Sequence, residues 1–372
     1  MTILSRVRTL LRRTPPLADS VNLAAPEVAA DPYGAWETLR GQREVHHLPG
    51  SGGWFVLSYD AVKQAFARPD IFSNAPYRDI DAILLGEDPP KQAVVRRLVS
   101  RHFTPDRLPS LEEVARQAAR AAISPAFDAV QDFAQPVSRA VAARLIGFEA
   151  GEVAELKAAL EAVKDQPVPV LIAALDDFAS RAAVYPQLIG DGEGLVGEAE
   201  ARSLVRLLWL ASTTTTERVI VRCVLHLAQS PVLRDTVAAD PRLLPALVEE
   251  VMRLHPPEHV VPRLCVADTE LGGASIPAGS AVFLCVGAAN RDPALFEDAG
   301  ELRLDRQGKR HFAFGSGIHH CVGAPLARRV VVAAIEELLI AAPALRLAKA
   351  SEPITMFASL TACAPLRVEV AA

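Results

Sequence analysis

Apolar residues recur every three to four positions along most of the chain, and that period predicts a mainly helical protein. Tyr33, Trp36 and Leu39 share one helix face behind Asp31-Pro32, a cap and first-turn pair. The same period runs through 60–66, 111–123, 137–146, 152–163 and 168–184, with Pro167 and Pro169 interrupting the last two. A long helix is expected over 198–230, and another over 247–253 that His255-Pro256-Pro257 stops. Strand signals are few. Trp54-Phe55-Val56-Leu57 follows a turn at 50–53, and 272–279 reads as a hairpin turn between short strands. The expected fold class is therefore mainly α with small β-sheets (α+β).

Two stretches break the apolar rhythm. Ser212-Thr213-Thr214-Thr215-Thr216 puts five consecutive hydroxyls inside the long helix. Thr loses rotamer freedom in a helix, so the run is locally unfavourable. Its hydroxyls can bond back to the previous turn and line a polar groove. Thr213 and Thr216 also fit the plainer part of filler at a tight helix crossing. The second stretch is 311–328, where Gly315, Gly317 and Gly323 surround Cys321 and Pro325 opens a helix. Glycines let a chain bend and approach a flat partner closely. Loop amides and the helix dipole are expected to favour thiolate over thiol at Cys321. Such a thiolate is an iron ligand, and on haem iron it favours O–O cleavage. The plain alternative is a buried free cysteine. Zinc held by His319, His320 and Cys321 is disfavoured, because adjacent residues rarely fill one tetrahedron.

The segment Phe314-Gly315-x-Gly317-x-His319-x-Cys321-x-Gly323, followed by Leu326-Ala327-Arg328, resembles the haem-ligand signature of the cytochrome P450 family of haem-thiolate monooxygenases. The resemblance runs from about residue 31 to the end. It implies that family's fold: a long central helix over haem b, with Cys321 on the proximal loop as the iron ligand. Phe314, Gly315 and Gly323 would shape the haem seat. Arg96, Arg263 and His319 would hold the propionates, and Gln92 stands where the family commonly has histidine. Ala211, Ser212, Thr214 and Thr215 align with the family's small-Gly-x-acid-Thr pattern, so Thr214 replaces the acid. Thr214 and Thr215 would handle oxygen and protons; Glu217 shares that region but is not the family's acid. Glu250, Arg253 and Arg306 would form a structural network. The inferred substrate lining is Ile80, Leu84, Leu210, Ala211, Val260, Val261 and Leu360.

Composition narrows the setting. The chain has 372 residues, half of them apolar, and a formal charge of −5. Nothing in that balance suggests nucleic acid. No apolar run reaches about 18 residues, so no transmembrane helix is expected. Five scattered cysteines (Cys223, Cys265, Cys285, Cys321, Cys363) read as a reducing, cytoplasmic setting. Residues 1–30 read as an N-terminal arm and 31–372 as one domain. The expected activity is oxidation of a small-to-medium apolar molecule with dioxygen, using electrons from a ferredoxin-type donor. Arg97, Arg101, Lys309, Arg310 and Arg329 are candidates for that donor's docking face. Loss of the acid at Thr214 keeps open a peroxide-driven or atypical reaction (coupling, desaturation, dealkylation). A haem-bearing recruitment module without turnover is the alternative from another class.

Overall fold

The computed structural model describes residues 31–348 and 365–370, apart from 81, 164, 165, 167, 193, 195, 307 and 309. The expected N-terminal arm and the position of Leu360 lie outside the described residues.

Helices dominate, in the order α1 Tyr33–Arg40, α2 Tyr59–Phe66, α3 Ile83–Gly86, α4 Lys91–Ser100, α5 Leu108–Ala122, α6 Gln135–Ile146, α7 Ala150–Val163, α8 Val168–Ala179, α9 Val184–Gly190, α10 Glu198–Gln229, α11 Pro231–Ala239, α12 Leu244–Leu254, α13 Val286–Ala289 and α14 Ala324–Ala341. The helix expected over 168–184 is two helices. Past Ala179 the backbone bonds tighten to Arg181 N–Phe178 O and Ala182 N–Ala179 O, and the chain turns before α9 begins. Arg181 fixes that corner by pairing with Glu152 and Glu155 on α7.

Among the described residues, ten strands form three sheets. The largest has five, β1 Val45–Leu48, β2 Gly53–Val56, β3 Phe72–Ser73, β5 Val261–Cys265 and β8 Ala281–Leu284, in the order β1-β2-β8-β5-β3. Only β2 and β8 pair in parallel; the other neighbours are antiparallel. Strands β6 Thr269–Leu271 and β7 Ala274–Ile276 make a hairpin whose turn is Gly272-Gly273, narrower than the 272–279 expected. Both glycines have positive φ, 54° and 72°, which a two-residue hairpin turn of this kind demands. Strands β4 Ala126–Asp128, β9 Leu345–Leu347 and β10 Arg367–Val370 form the third sheet. Single short strands such as β1 and β8 lack a period long enough to read from sequence.

The main apolar cluster gathers around α10, with α6, α12 and α14 packed on it and α5 packed on α6 and α14. Two smaller clusters lie on the five-stranded sheet. α10 is buried on nearly all sides, which is why its sequence shows so weak an amphipathic stripe. No helix among the described residues is long and apolar enough to cross a membrane.

Candidate active site

The loop before α14 is bent by Gly315 and Gly317, with φ of 65° and 68°. A Cβ on Gly317 would stand 2.6 Å from the Phe66 carbonyl oxygen, so the position demands glycine twice over. Gly323 is different. Its φ of −80° suits any residue, and what it supplies is room: a Cβ there would lie 3.4 Å from the Phe103 ring and 3.9 Å from Cys321 Sγ. The Cys321 N–H donates to the Phe314 carbonyl at 2.8 Å, which closes the loop on itself. Burial pushes the Cys321 thiol up; the N–H groups of Gly323 and Ala324, with Arg96 and Arg328, pull it the other way. The expected thiolate-favouring amides are therefore present, but burial outweighs them. By exposed area Cys321 is open although it sits deep in the fold, so it faces an internal opening.

Two carboxylates on α12 hold this loop. Glu249 accepts Arg328 Nε at 2.6 Å from α14 and lies 3.1 Å from His311 Nε2 at the loop's entry. Arg328 in turn stacks over Phe314, with its guanidinium carbon 4.4 Å from the ring centre. Burial alone would raise the Glu249 carboxyl, yet the bonds from His311 and Arg328 bring it down to about 2. Glu250 takes Arg253 in a fork at 2.8 and 2.9 Å and Arg306 Nε at 3.1 Å. Arg253, 1% exposed, also donates to the carbonyls of Asn290, Ala299 and Glu301.

A cationic corner lies beside the loop. Gln92 Nε2 and Arg96 Nη1, one turn apart on α4, both donate to the Ile318 carbonyl, at 2.8 and 3.1 Å. Arg263 is 4% exposed and hydrogen-bonds Tyr77. His319 lies between these groups: burial, then Arg263 and Arg96, hold its imidazole down to about 4. Both of its ring nitrogens are buried with no partner among the described residues. On α10 the hydroxyls bond back along the helix, Thr213 to the Trp209 carbonyl, Thr214 to Leu210 and Thr215 to Ala211, at 2.9, 2.9 and 2.7 Å. Thr213 and Thr216 are buried at 7%, as helix-crossing filler requires, while Ala211 is exposed in mid-helix.

The cytochrome P450 family model matches residues 190–340. Cytochrome P450 144 of Mycobacterium tuberculosis is 32% identical over 360 residues, covering 83% of this chain and 82% of that protein. The chain belongs to the cytochrome P450 family. The mycinamicin IV hydroxylase/epoxidase of Micromonospora griseorubida is 31% identical over 85% of this chain and 88% of its own length. Among solved structures, the myxobacterial cytochrome P450 CYP267B1 in complex with myristic acid superposes with a TM-score of 0.82 at 27% identity, over 94% of this chain and 99% of that one. The protein is thus a haem-thiolate monooxygenase with the P450 fold, and haem b is its cofactor.

The residues present fit haem. Cys321 is a soft donor facing inward, and the orphaned, buried His319 nitrogens beside Arg96 and Arg263 form a site short of an anion, which suits a propionate. Gln92 spends its amide N–H on the Ile318 carbonyl and so steadies the loop. Among the inferred lining residues, Leu84 and Leu210 lie partly buried on the main cluster. Val260 packs on the small cluster that contains Trp36 and Leu48, and Val261 on the one that contains Phe66 and Phe72. The side chain of Ile80 lies outside the described residues. Sequence reasoning missed Tyr77, Glu249 and Glu258. Glu249 carried a signal, being one of two adjacent acids in a helix whose other charged residue is Arg253; Glu258 carried a fainter one, a lone acid behind Pro256-Pro257.

Proposed function

We propose that this chain oxidises a small-to-medium, largely apolar organic molecule, using dioxygen and two electrons delivered by a ferredoxin-type protein in a cytoplasmic setting. Cys321 would ligate the iron, and Arg96, Arg263 and His319 would hold the propionates. The haem supplies the dioxygen chemistry; the protein sets its electronics, dryness and the pose of the substrate. The observation that carries this reading is the convergence of three cationic or orphaned donors beside a cysteine held at a helix start. Thr215 would hold a hydroxyl toward the reacting oxygen, with Thr214 next to it. Apolar Leu84, Leu210 and Ala211 favour an apolar substrate held by few polar contacts. The hydroxylase/epoxidase relative and the myristic acid complex of a structural relative point the same way.

For the electron donor, Arg97 and Arg310 are exposed and available. Arg101 and Arg329 are already paired, with Asp191 at 2.9 Å and Glu112 at 2.8 Å, so they contribute less to a docking face. Lys309 lies outside the described residues. The test is optical. Reduced protein under carbon monoxide should show a thiolate-type absorption band, and Cys321→Ser should abolish it. A wild-type protein without that band refutes the reading.

Thr214 in place of an acid favours a second reading, turnover driven by peroxide. Comparing peroxide with a surrogate ferredoxin, reductase and nicotinamide decides it. Turnover with peroxide alone would establish the second reading and refute the first.

A further inference from the structure

We propose that Glu258 holds the exchangeable proton of the distal pocket, doing for this chain what an acid at Thr214 would otherwise do. The inference rests on the haem-thiolate reading above. Glu258 lies in the connection between α12 and β5, and its Oε1 is 3.5 Å from Arg218 Nη1. Arg218 is 6% exposed and spends the same nitrogen on the Pro257 carbonyl at 3.0 Å. It follows Thr214 by four residues and Thr215 by three, so it shares their face of α10. On its other side Glu258 meets the field of Tyr77, whose hydroxyl bonds Arg263, the neighbour of His319. The carboxyl is therefore bounded by Arg218, on the threonine face of the long helix, and by the segment around Tyr77. It is deep in the fold, yet 36% of its side chain is open, as for a group bordering an internal opening.

Glu217 is the competing acid. Burial raises its carboxyl as well, but it accepts a hydrogen bond from Gln135 and is drawn to Arg139, both on α6, more than to Arg218. Burial pushes the Glu258 carboxyl up to about 7, with Arg218 only partly opposing it. That value suits a group giving and regaining a proton at neutral pH. The proton leaves a carboxyl oxygen toward the reacting oxygen by way of the Thr214–Thr215 face. The carboxylate left behind stays beside Arg218, and solvent protonates it again. Dioxygen and both electrons are those of the monooxygenase reaction, and no other reagent enters.

Burial takes Tyr77 up to about 12 and His259 down to about 3, and His319 is held near 4, so none of these three changes charge near neutrality. Carbon monoxide on the reduced haem is a probe that needs no substrate, because its C–O stretch responds to charge in the distal pocket. In wild-type holoenzyme the stretch should shift once, centred near pH 7. Glu258→Gln should keep the thiolate-type absorption band and lose the shift, and Glu258→Asp should restore a shift. With a surrogate ferredoxin and reductase and no added substrate, the peroxide share of the dioxygen consumed should rise roughly twofold or more in Glu258→Gln. A wild-type stretch that does not move with pH, or one that moves alike in wild type and Glu258→Gln, overturns the proposal. So does a Glu258→Gln protein that no longer binds haem, since the residue would then be structural. Failure of the haem-thiolate reading looks different: no thiolate band in the wild type itself.

Discussion

The cysteine side of the molecule and the hydroxyl side of α10 are built on opposite rules. On the cysteine side charge is paired twice over. Glu250 is bonded by Arg253, Arg306 and the Arg303 N–H, and Glu249 by Arg328 and His311. Across the fold, Arg218 reaches Glu258 at 3.5 Å, and the hydroxyls of Thr214 and Thr215 bond back to carbonyls of their own helix. A group that ligates a metal must be held in one place, and charge-assisted bonds to a shared carboxylate do that. Groups that pass protons must change partners, so loose pairing serves them. The difference teaches where stiffness is needed and where it would hinder.

The comparison breaks most completely at Cys321. Cys321→Ser should remove the thiolate-type band entirely, read by absorbance of the reduced carbon monoxide complex. Next comes the pairing on α12. Arg253→Ala leaves a buried Glu250 without its fork partner, and unfolding should become easier by about 3–5 kcal/mol. Urea titration of the haem-loaded protein measures it. A loss under about 1 kcal/mol would mean that the carbonyl bonds of Arg253 can be replaced by water.

Much of this contrast was legible in the sequence, and for identifiable reasons. The loop could be read because Gly315, Gly317 and Cys321 are each fixed by a local demand, of φ or of chemistry. The pairing of Glu250 with Arg253 was legible because it lies within one helical turn. The Glu249 clamp was not, since its partners stand 62 and 79 residues away. Glu258 was missed because its role depends on Arg218, 40 residues before it on another element. The site's local geometry was written locally; its electrostatics depend on long-range packing that no period encodes.

Glu249 also gives the cysteine side an acid limit. Its folded-state value of about 2 lies below the ordinary 4.5. A depressed carboxyl stabilises the fold above its unfolded value, and that stability is lost as pH falls through the folded one. Linkage makes the contribution about 3 kcal/mol at neutral pH, disappearing between about pH 4.5 and 2. Melting temperature against pH should therefore fall across that window, and Glu249→Gln should start lower and fall less. Equal slopes would remove Glu249 from the clamp. A smaller loss, about 1–3 kcal/mol, is expected for Gly317→Ala, which forces a Cβ toward the Phe66 carbonyl at positive φ. Thermal unfolding reads it.

The smallest stability effect belongs to the hydroxyl side, and there function should move without it. Thr215 spends its hydroxyl on the Ala211 carbonyl at 2.7 Å, a bond within its own helix. Alanine loses that bond and gains helix propensity, so Thr215→Ala should change unfolding by less than about 1 kcal/mol. The reaction should nevertheless waste more electrons, with more peroxide released per nicotinamide oxidised through a surrogate ferredoxin and reductase. On the cysteine side stability and activity should fall together, because one set of bonds serves both. Here they should separate. If Thr215→Ala leaves both the melting curve and the peroxide yield unchanged, the hydroxyl is helix filler, and proton supply on this side has to come from Glu258 without it.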